Sequence, residues 1–403
     1  MIADRFRSMM SDLDPTVYES YIYMAVRLGS SDIHFEPLEG ELRVRLRVDG
    51  ALHELARIPH VGAAAKKAHP LIVQIKAASG MQLQSRVPED GRLEAVVQGH
   101  PLSLRVASMP QVFGEKVVLR LFDVSKIQTM EGLGFRENQL DRVLNAIGRK
   151  SGIVLVAGPT GSGKTTTLYA ILNHLNKESR NLVSIEDPVE HHLTNVNQIQ
   201  VSATGVSFET AMRALLRHDP DIIMVGEIRD RVTAEMAFHA ALTGHLVLTT
   251  VHAQDTVGAL MRLVDLQVPQ VIMAHAINGV VAQRLMGRLC DCAIPGVHPP
   301  LERVNTYEPN GCDRCMGTGY VGQQGVQEVL VPTDRLRKVL SFRFSDEEFR
   351  MLALKEGMET LKEDAIYKSI AGQIHYRDAL GVTDEPLNRI LADINRMLDR
   401  LAG

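Results

Sequence analysis

The 403-residue chain lacks any apolar run near the roughly 20 residues needed to span a bilayer. Its longest runs, such as GIVLVAG (152–158) and HLVLTTV (245–251), are far shorter. The N-terminal stretch MIADRFRSMMSDLD has no apolar core of the kind a signal peptide carries. These absences predict a cytosolic protein whose membrane attachment goes through partners. There is no block of like charges, and 44 basic against 48 acidic residues leave a formal net charge of −4. That balance argues against a dedicated nucleic-acid binder. Cysteine is scarce: four thiols in a long chain of a reducing compartment read as metal ligands or free thiols before disulfides. Low-complexity tracts and short-period repeats are missing too. What remains, 45% hydrophobic and 23% charged, is the composition of a folded globular protein. The length suits two or three domains.

Residues 31–55, SDIHFEPLEGELRVRLRVDGALHEL, alternate polar and apolar at period two, as strands do, with turns at Leu38–Gly40 and Asp49–Gly50. A helical stretch from about Val61 to Ala78 follows, then three strand-like runs: GRLEAVV, LSLRVAS and KVVLRLF. Residues 1–125 therefore read as an α+β domain, and 126–135 as a linker. From 136 to 289, helices alternate with the continuously apolar runs GIVLVAG, LVSIED, DIIMVGE and HLVLTTV. Runs of that kind suit a parallel sheet buried on both faces. The cysteines mark a segment at 290–322, and 323–403 reads as mainly helical. The closing stretch puts Leu387, Ile390, Leu391, Ile394, Leu398 and Leu401 on one stripe, the pattern of a core-packing helix before a partner-binding one.

GPTGSGKT, residues 158–165, matches the phosphate-loop pattern G-x-x-x-x-G-K-[ST] in full, between an apolar strand and a helix. Gly158, Pro159, Thr160, Gly161, Ser162, Gly163, Lys164, Thr165 and Thr166 are the nucleotide-binding candidates. Glycines let backbone amides approach phosphate, Lys164 is expected on the β/γ-phosphates, and Thr165 on Mg²⁺. DPDIIMVGEIRD, residues 219–230, ends an apolar strand with Gly226 where a Walker-type site has Asp, leaving Glu227. Glu186, Asp187 and Glu190 lie in SIEDPVEHH, at the carboxyl end of a strand, where open parallel sheets place ligands. Glu186 is therefore expected as the base or water-orienting group, and Glu227 as the group serving Mg²⁺ through its water shell. Thr249, Thr250 and His252 end a further strand on the site side, whereas His245 begins it and should face elsewhere. Hydrolysis benefits from arginine charge on the transferring phosphoryl group, and no arginine flanks the P-loop. Arg92, Arg105 and Arg120, in the later strands of the N-terminal domain, are candidates to supply it. The bland reading, arginines on a solvated sheet face, is what their pattern alone favours.

Together these stretches resemble the secretion ATPases of type II secretion systems and type IV pili. The resemblance rests on SSDIHFEP, RVRLRVDG, VPEDGRLE, GEKVVLRL, GPTGSGKTTTLYA, SIEDPVE, RHDPDIIMVGEIRD, ALTGHLVLTTVHAQDT and VAQRLMGRLC, in that order over nearly the whole chain. It implies an α/β fold: a RecA-like P-loop ATPase core with an N-terminal α+β (PAS-like) domain, a small tetracysteine insertion and a helical C-terminal part. It implies Glu186 as catalytic carboxylate and Arg105 and Arg120 as phosphate contacts. Gly226 follows the family pattern, which itself lacks the Walker B Asp. It further implies a homo-hexameric ring on an inner-membrane platform protein, driven by ATP and Mg²⁺ to assemble pilin or pseudopilin filaments. GCDRCMGTGYVGQQGVQEVL and METLKEDAIYKSIAGQIHYRDALGVT resemble the C-terminal part of assembly members more than that of retraction members. A retraction or type IV secretion ATPase of the same superfamily is the alternative. A nucleotide-dependent scaffold and a DNA motor are weaker ones, the first opposed by intact Lys164, Thr165, Glu186 and Glu227, the second by net charge. The chain begins near the family's second N-terminal domain, so the extra docking module ahead of it is expected to be absent. Cys290, Cys292, Cys312 and Cys315 form two pairs 19 residues apart, a spacing that suits one structural Zn²⁺. The first pair is C-x-C, one residue shorter than the family's C-x-x-C, and His298 is a substitute ligand.

Overall fold

The structure, a computed structural model, describes residues 14–48, 51–60, 68–83, 87–97, 100–122, 128–201, 205–296, 305–315, 317–342 and 344–383. The expected turn at Asp49–Gly50, the first part of the helix expected from Val61, His298 and the leucine-striped stretch after 383 lie outside these residues. The chain divides into two compact units. One holds residues 1–126 with 290–292 and 309–322; the other holds 127–289, 293–308 and 323–403.

The first unit opens with helix α1 (Tyr18–Arg27) and the strands β1 (Ser30–Leu38), β2 (Glu41–Val48) and β3 (Ala51–Pro59). Helix α2 (Pro70–Ala78) and strands β4 (Glu89–Val97), β5 (His100–Gln111) and β6 (Gly114–Phe122) follow. The six strands form one sheet in the order β3-β2-β1-β6-β5-β4, and the strand pairs with a defined register are antiparallel. Alternation decides the faces. Leu42, Val44 and Leu46 of β2 are buried with Ile33, Phe35, Leu104 and Leu119, and the helices lay Tyr21, Ile22, Leu71 and Ile75 over them. Arg43, Arg45 and Arg47 stand on the opposite face. Pro70 opens α2, where its missing N–H costs nothing, and His69 Nδ1 accepts the Leu71 amide at 3.2 Å. Buried charge is paired here: Lys76 of α2, fully enclosed, reaches Glu115 at 2.8 Å and Glu89 at 3.2 Å. Pairing is what makes a buried ammonium tolerable.

The second unit runs through the single turn Glu131–Leu133, α3 (Glu137–Ile147), β7 (Gly152–Ala157), α4 (Lys164–Leu175), β8 (Leu182–Glu186) and β9 (Val196–Gln200). It continues with α5 (Phe208–Leu215), β10 (Ile222–Val225), α6 (Arg231–Leu242), β11 (Leu246–Val251), α7 (Thr256–Asp265), α8 (Gln270–Ala276) and β12 (Ile277–Leu289). The short strands β13 (Ile294–Gly296) and β14 (Thr306–Glu308) pair with each other. After β15 (Tyr320–Leu330) come α9 (Asp334–Leu340), α10 (Asp346–Lys355), α11 (Leu361–Ile370) and α12 (Tyr376–Leu380).

The seven-stranded sheet has the order β15-β12-β7-β11-β10-β8-β9, with parallel pairing from β12 to β9. Every residue of β7, β8, β10 and β11 is buried, which is why those runs are apolar apart from Ser184, Glu186, Thr249 and Thr250. Each such Val, Leu or Ile contributes about 1.5–3 kcal/mol through removal from water. One face packs on α3 and α4 through Val143, Leu168 and Leu172; the other packs on α5 to α8 and on α9 to α11 through Met212, Phe238, Leu260, Leu336, Phe349 and Leu361. This is a three-layer α/β core. The strands β9, β12 and β15 are additional to the four expected, and β15 brings the C-terminal part into the sheet itself.

A buried ionic cluster ties that part to the core. Arg136, just before α3, donates to Asp364 at 2.7 Å and to Glu359, and its guanidinium lies 4.7 Å from the Tyr367 ring centre. Asp364 also takes Lys368 at 2.6 Å and the Gln327 amide at 2.8 Å, so both its oxygens are used. Among the described residues no helix is long and apolar enough to cross a membrane.

Candidate active site

The P-loop joins β7 to α4, and its glycines are required by geometry. Gly158 has φ 158°, and a Cβ there would fall 2.2 Å from Ser162 Oγ and 2.8 Å from the Gln283 carbonyl. Gly161 and Gly163 take φ 79° and 83°, the left-handed region, and Gly163 sits where α4 begins. Pro159, Thr160, Gly161 and Thr166 are exposed, and Thr165 is half-buried on the first turn of α4. Lys164 Nζ donates to the carbonyls of Gly158 at 2.9 Å and Pro159 at 3.0 Å. Partial burial lowers its pKa, Glu227 opposes that, and Arg284 adds to it. The Ser162 hydroxyl is buried in the loop with no hydrogen-bond partner among the described residues.

Three strand ends lie at the same end of the sheet as the loop. Register sets Val225 of β10 beside Ile185 of β8 on one side and Thr249 of β11 on the other, so Glu186, Gly226 and Thr250 form the next row. The Thr250 hydroxyl donates to Gly226 O at 2.8 Å. Glu227 Oε1 lies 2.9 Å from His252 Nε2, and Glu227 Oε2 accepts Arg229 Nε at 2.9 Å. His245, at the other end of β11, turns its Nδ1 to Ala240 O at 3.0 Å. Thr249 differs from the expectation. It is fully buried on the face of Val247 and Val251, away from Thr250, because successive strand residues alternate sides. Asp187 is exposed and Glu190 half-buried.

Glu186 is 4% exposed, and donors surround it. Ser184 Oγ donates to its Oε1 at 2.5 Å, Gln198 Nε2 to the same oxygen at 3.1 Å, and Tyr169 Oη to its Oε2. Sequence reasoning missed Tyr169, Ser184 and Gln198. Tyr169 stands inside the quoted stretch GPTGSGKTTTLYA, on the helix the P-loop opens.

Two more groups escaped the sequence reading. Gln283 of β12 donates to Ser162 O at 2.6 Å and accepts Thr167 Oγ1 at 2.8 Å, bracing the loop from a neighbouring strand. The absence of an arginine beside the P-loop holds along the chain but not in space. Arg284 lies within electrostatic reach of Lys164, held by Gln254 O at 2.8 Å, and arrives from a strand more than a hundred residues downstream.

In the first unit, Arg92, Arg105 and Arg120 fall in one row across β4, β5 and β6. Arg105 pairs with Asp90 at 3.5 Å and Arg120 with Asp32 at 2.9 Å, all on the face opposite the helices. The four cysteines converge: their sulfurs lie within 4.8 Å of one another. Cys290 to Cys312 is 3.7 Å, Cys292 to Cys315 3.8 Å, and Cys312 to Cys315 3.6 Å. The amides of Cys312 and Gly319 both point at Cys315 Sγ from 3.2 Å. Burial opposes ionisation of Cys315, but those two amides, together with the Cys312 and Cys292 thiols, outweigh it and hold the thiol at about 6. Gly319 makes the turn possible: at φ 81°, a Cβ would meet Pro309 at 2.5 Å.

A complete P-loop at the carboxyl rim of parallel strands, with carboxylates on two neighbouring strand ends, describes a nucleotide-hydrolysing core. The family model described as "Type II/IV secretion system protein" matches residues 11–381.

The chain belongs to that family.

It is 42% identical over 363 residues to type II secretion system protein HxcR of Pseudomonas aeruginosa, covering 89% of this chain and 75% of that one. It is 38% identical over 394 residues to the type IV pilus assembly ATPase PilB of Thermus thermophilus, covering 93% of this chain but only 44% of PilB. Among solved structures, the pilus retraction motor PilT with bound ADP superposes with a TM-score of 0.63 at 25% identity, covering 91% of this chain and 97% of PilT. The ATPase DotB of Legionella pneumophila shares the fold, with a TM-score of 0.69 at 22% identity over 90% of this chain and 94% of DotB.

Proposed function

We propose that this protein is an ATP-hydrolysing motor that powers assembly of a type IV pilus or a type II secretion pseudopilus. The observation that carries the reading is that the P-loop, Glu186 and the Glu227–His252 pair stand at the same end of one parallel sheet, with Glu227 within electrostatic reach of Lys164. The likeness to HxcR and PilB, at 42% and 38% identity, supports assembly. The likeness to PilT is the observation behind the second reading, a retraction motor.

In this reading ATP is the substrate, with its phosphates on the amides of 158–166 and on Lys164. Thr165, and Glu227 through the water shell, would hold Mg²⁺, which would supply positive charge against the negative charge of the phosphates. The buried, unpartnered hydroxyl of Ser162 and the cradle at Gly158, too tight for a Cβ, fit a loop shaped around phosphate. Glu186 prepares the attacking water, and His252 contacts the γ-phosphate. Arg92, Arg105 and Arg120 meet charge on the transferring phosphoryl group.

The working assembly is a homo-hexamer in the cytoplasm, attached peripherally to an inner-membrane platform and docking protein. Its parts are an N-terminal domain (1–125), a linker (126–135), an ATPase core (136–289), a tetracysteine segment (290–322) holding Zn²⁺, and a C-terminal part (323–403).

Phosphate release tests the catalytic assignment. Glu186→Gln keeps the side-chain shape and removes the basic oxygen, so turnover should fall by about a hundredfold or more while nucleotide affinity stays within a few-fold. Turnover at the parent rate would remove Glu186 from its role and turn the question to Glu227→Gln.

A further inference from the structure

Tyr169 is 2% exposed on α4, and its hydroxyl makes three hydrogen bonds. The amides of Glu190 and His191 approach it at 3.1 and 3.3 Å. Amides only donate, so they occupy the two lone pairs of the phenol oxygen. The single phenolic hydrogen is left for Glu186 Oε2. Gln198 is oriented by the same logic. Its Oε1 accepts the Leu193 amide at 2.8 Å, which turns its Nε2 to His191 O at 2.8 Å and to Glu186 Oε1. Ser184 supplies the third donor from β8 itself. Both oxygens of Glu186 thus act as acceptors, each pinned from a different element.

The position of Tyr169 on its helix adds a second link. Thr165 and Thr166, on the first turn of α4, precede Tyr169 by four and three residues and share its helix face. The Tyr169 ring also meets the His191 ring edge-on, with centroids 5.7 Å apart. One rigid helix therefore carries phosphate-loop residues at its start and, about one turn later, a phenol bonded to Glu186 and to the loop that follows it.

We infer that Tyr169 is a positioning residue that aims the Glu186 carboxylate and ties its loop to the phosphate-binding helix. The inference rests on Glu186 being the group that prepares water. A carboxylate pinned through both oxygens keeps one rotamer, and movement of the helix start on nucleotide binding reaches it without another element between them. Ser184 and Gln198 support the same carboxylate from the sheet.

The test uses the full chain with Tyr169→Phe, which keeps the ring and deletes only the hydroxyl. ATP turnover and binding of a fluorescent ATP analogue are measured beside Glu186→Gln, Ser184→Ala and the double variant Tyr169→Phe/Glu186→Gln. Tyr169→Phe should lower kcat about tenfold or more while KM and analogue affinity stay within twofold. Ser184→Ala should act in the same direction. The double variant should turn over no more slowly than Glu186→Gln alone, because there is no aimed base left to lose. If Glu186→Gln is inactive and Tyr169→Phe turns over at the parent rate, the positioning role is wrong and the catalytic assignment stands. If Glu186→Gln is active, the assignment beneath the inference has failed, and the inference falls with it. Loss of fold, or parallel loss of affinity and turnover in Tyr169→Phe, would make the phenol a packing group and overturn the inference.

Discussion

Replacing Cys312 with Ser should release a zinc ion and unfold one segment of the chain while leaving its chemistry intact. The geometry sets the expectation. Four sulfurs at about 2.3 Å from a central zinc lie about 3.8 Å apart along the edges of a tetrahedron. Three of the six separations are 3.6, 3.7 and 3.8 Å, and all lie within 4.8 Å. The segment has few apolar side chains of its own to hold it. Among its described residues, the only apolar side chains that are buried are Cys290 and Cys315 themselves. Structural zinc binding contributes about 10–16 kcal/mol in small zinc-finger peptides at neutral pH, and a thiolate exchanged for a hydroxyl forfeits much of that.

Metal analysis of protein purified without chelator should give one zinc per chain, and less than about a tenth of that in Cys312→Ser. Limited proteolysis should then cut within 290–322, and ATP turnover should stay within about twofold. The sign of the pH effect follows from the ligand: thiolates bind zinc and thiols do not, so acid should release the ion. Substoichiometric zinc in the parent protein, unchanged by Cys312→Ser, would refute the reasoning.

The arginine row gives a kinetic prediction. Arg105→Ala and Arg120→Ala should each lower kcat by about tenfold with little change in nucleotide affinity, if they meet charge that develops in the transition state; normal hydrolysis by both would return them to solvated sheet-face residues. Glu36 gives a pH prediction. Its burial opposes ionisation, but donation from Arg45, Lys116 and Arg43 outweighs this and holds the carboxyl at about 2 against an ordinary 4.5. A depressed carboxyl stabilises the fold above its unfolded pKa, and that contribution is lost as pH falls from 4.5 toward about 2. Glu36→Gln should cost about 2 kcal/mol near neutral pH, discounted for the partly exposed arginines, and nothing near pH 2. Urea unfolding of parent and variant across that range measures it, and a pH-independent gap would contradict the ion-pair origin.

Much of this protein was decided by the order of its residues alone. A phosphate loop is a local object: its glycines, lysine and threonine act within eight residues, so GPTGSGKT is readable without a fold. Continuous apolar runs declared the parallel strands, because a strand covered on both faces has no polar side to show. The same rule placed Glu186, Glu227 and His252 at one rim, since parallel strands all end on the same side. Period two in RVRLRV likewise separated Leu42, Val44 and Leu46 from the arginines of β2.

Other features depend on elements far apart in the chain. Tyr169 reads as a core aromatic in its helix and becomes a ligand of Glu186 only once β8 lies beside α4. Gln283 and Arg284 reach the phosphate loop because β12 pairs with β7, a pairing no local pattern encodes. Thr249 and Thr250 are neighbours in sequence, yet the pleat sends one into the far core and the other to Gly226. The cysteine spacing suggested a metal cluster, but only the fold brings the sulfurs of the C-x-C pair beside those of Cys312 and Cys315. Sequence fixes what each residue is able to do; the packing of distant strands decides which of those abilities meet.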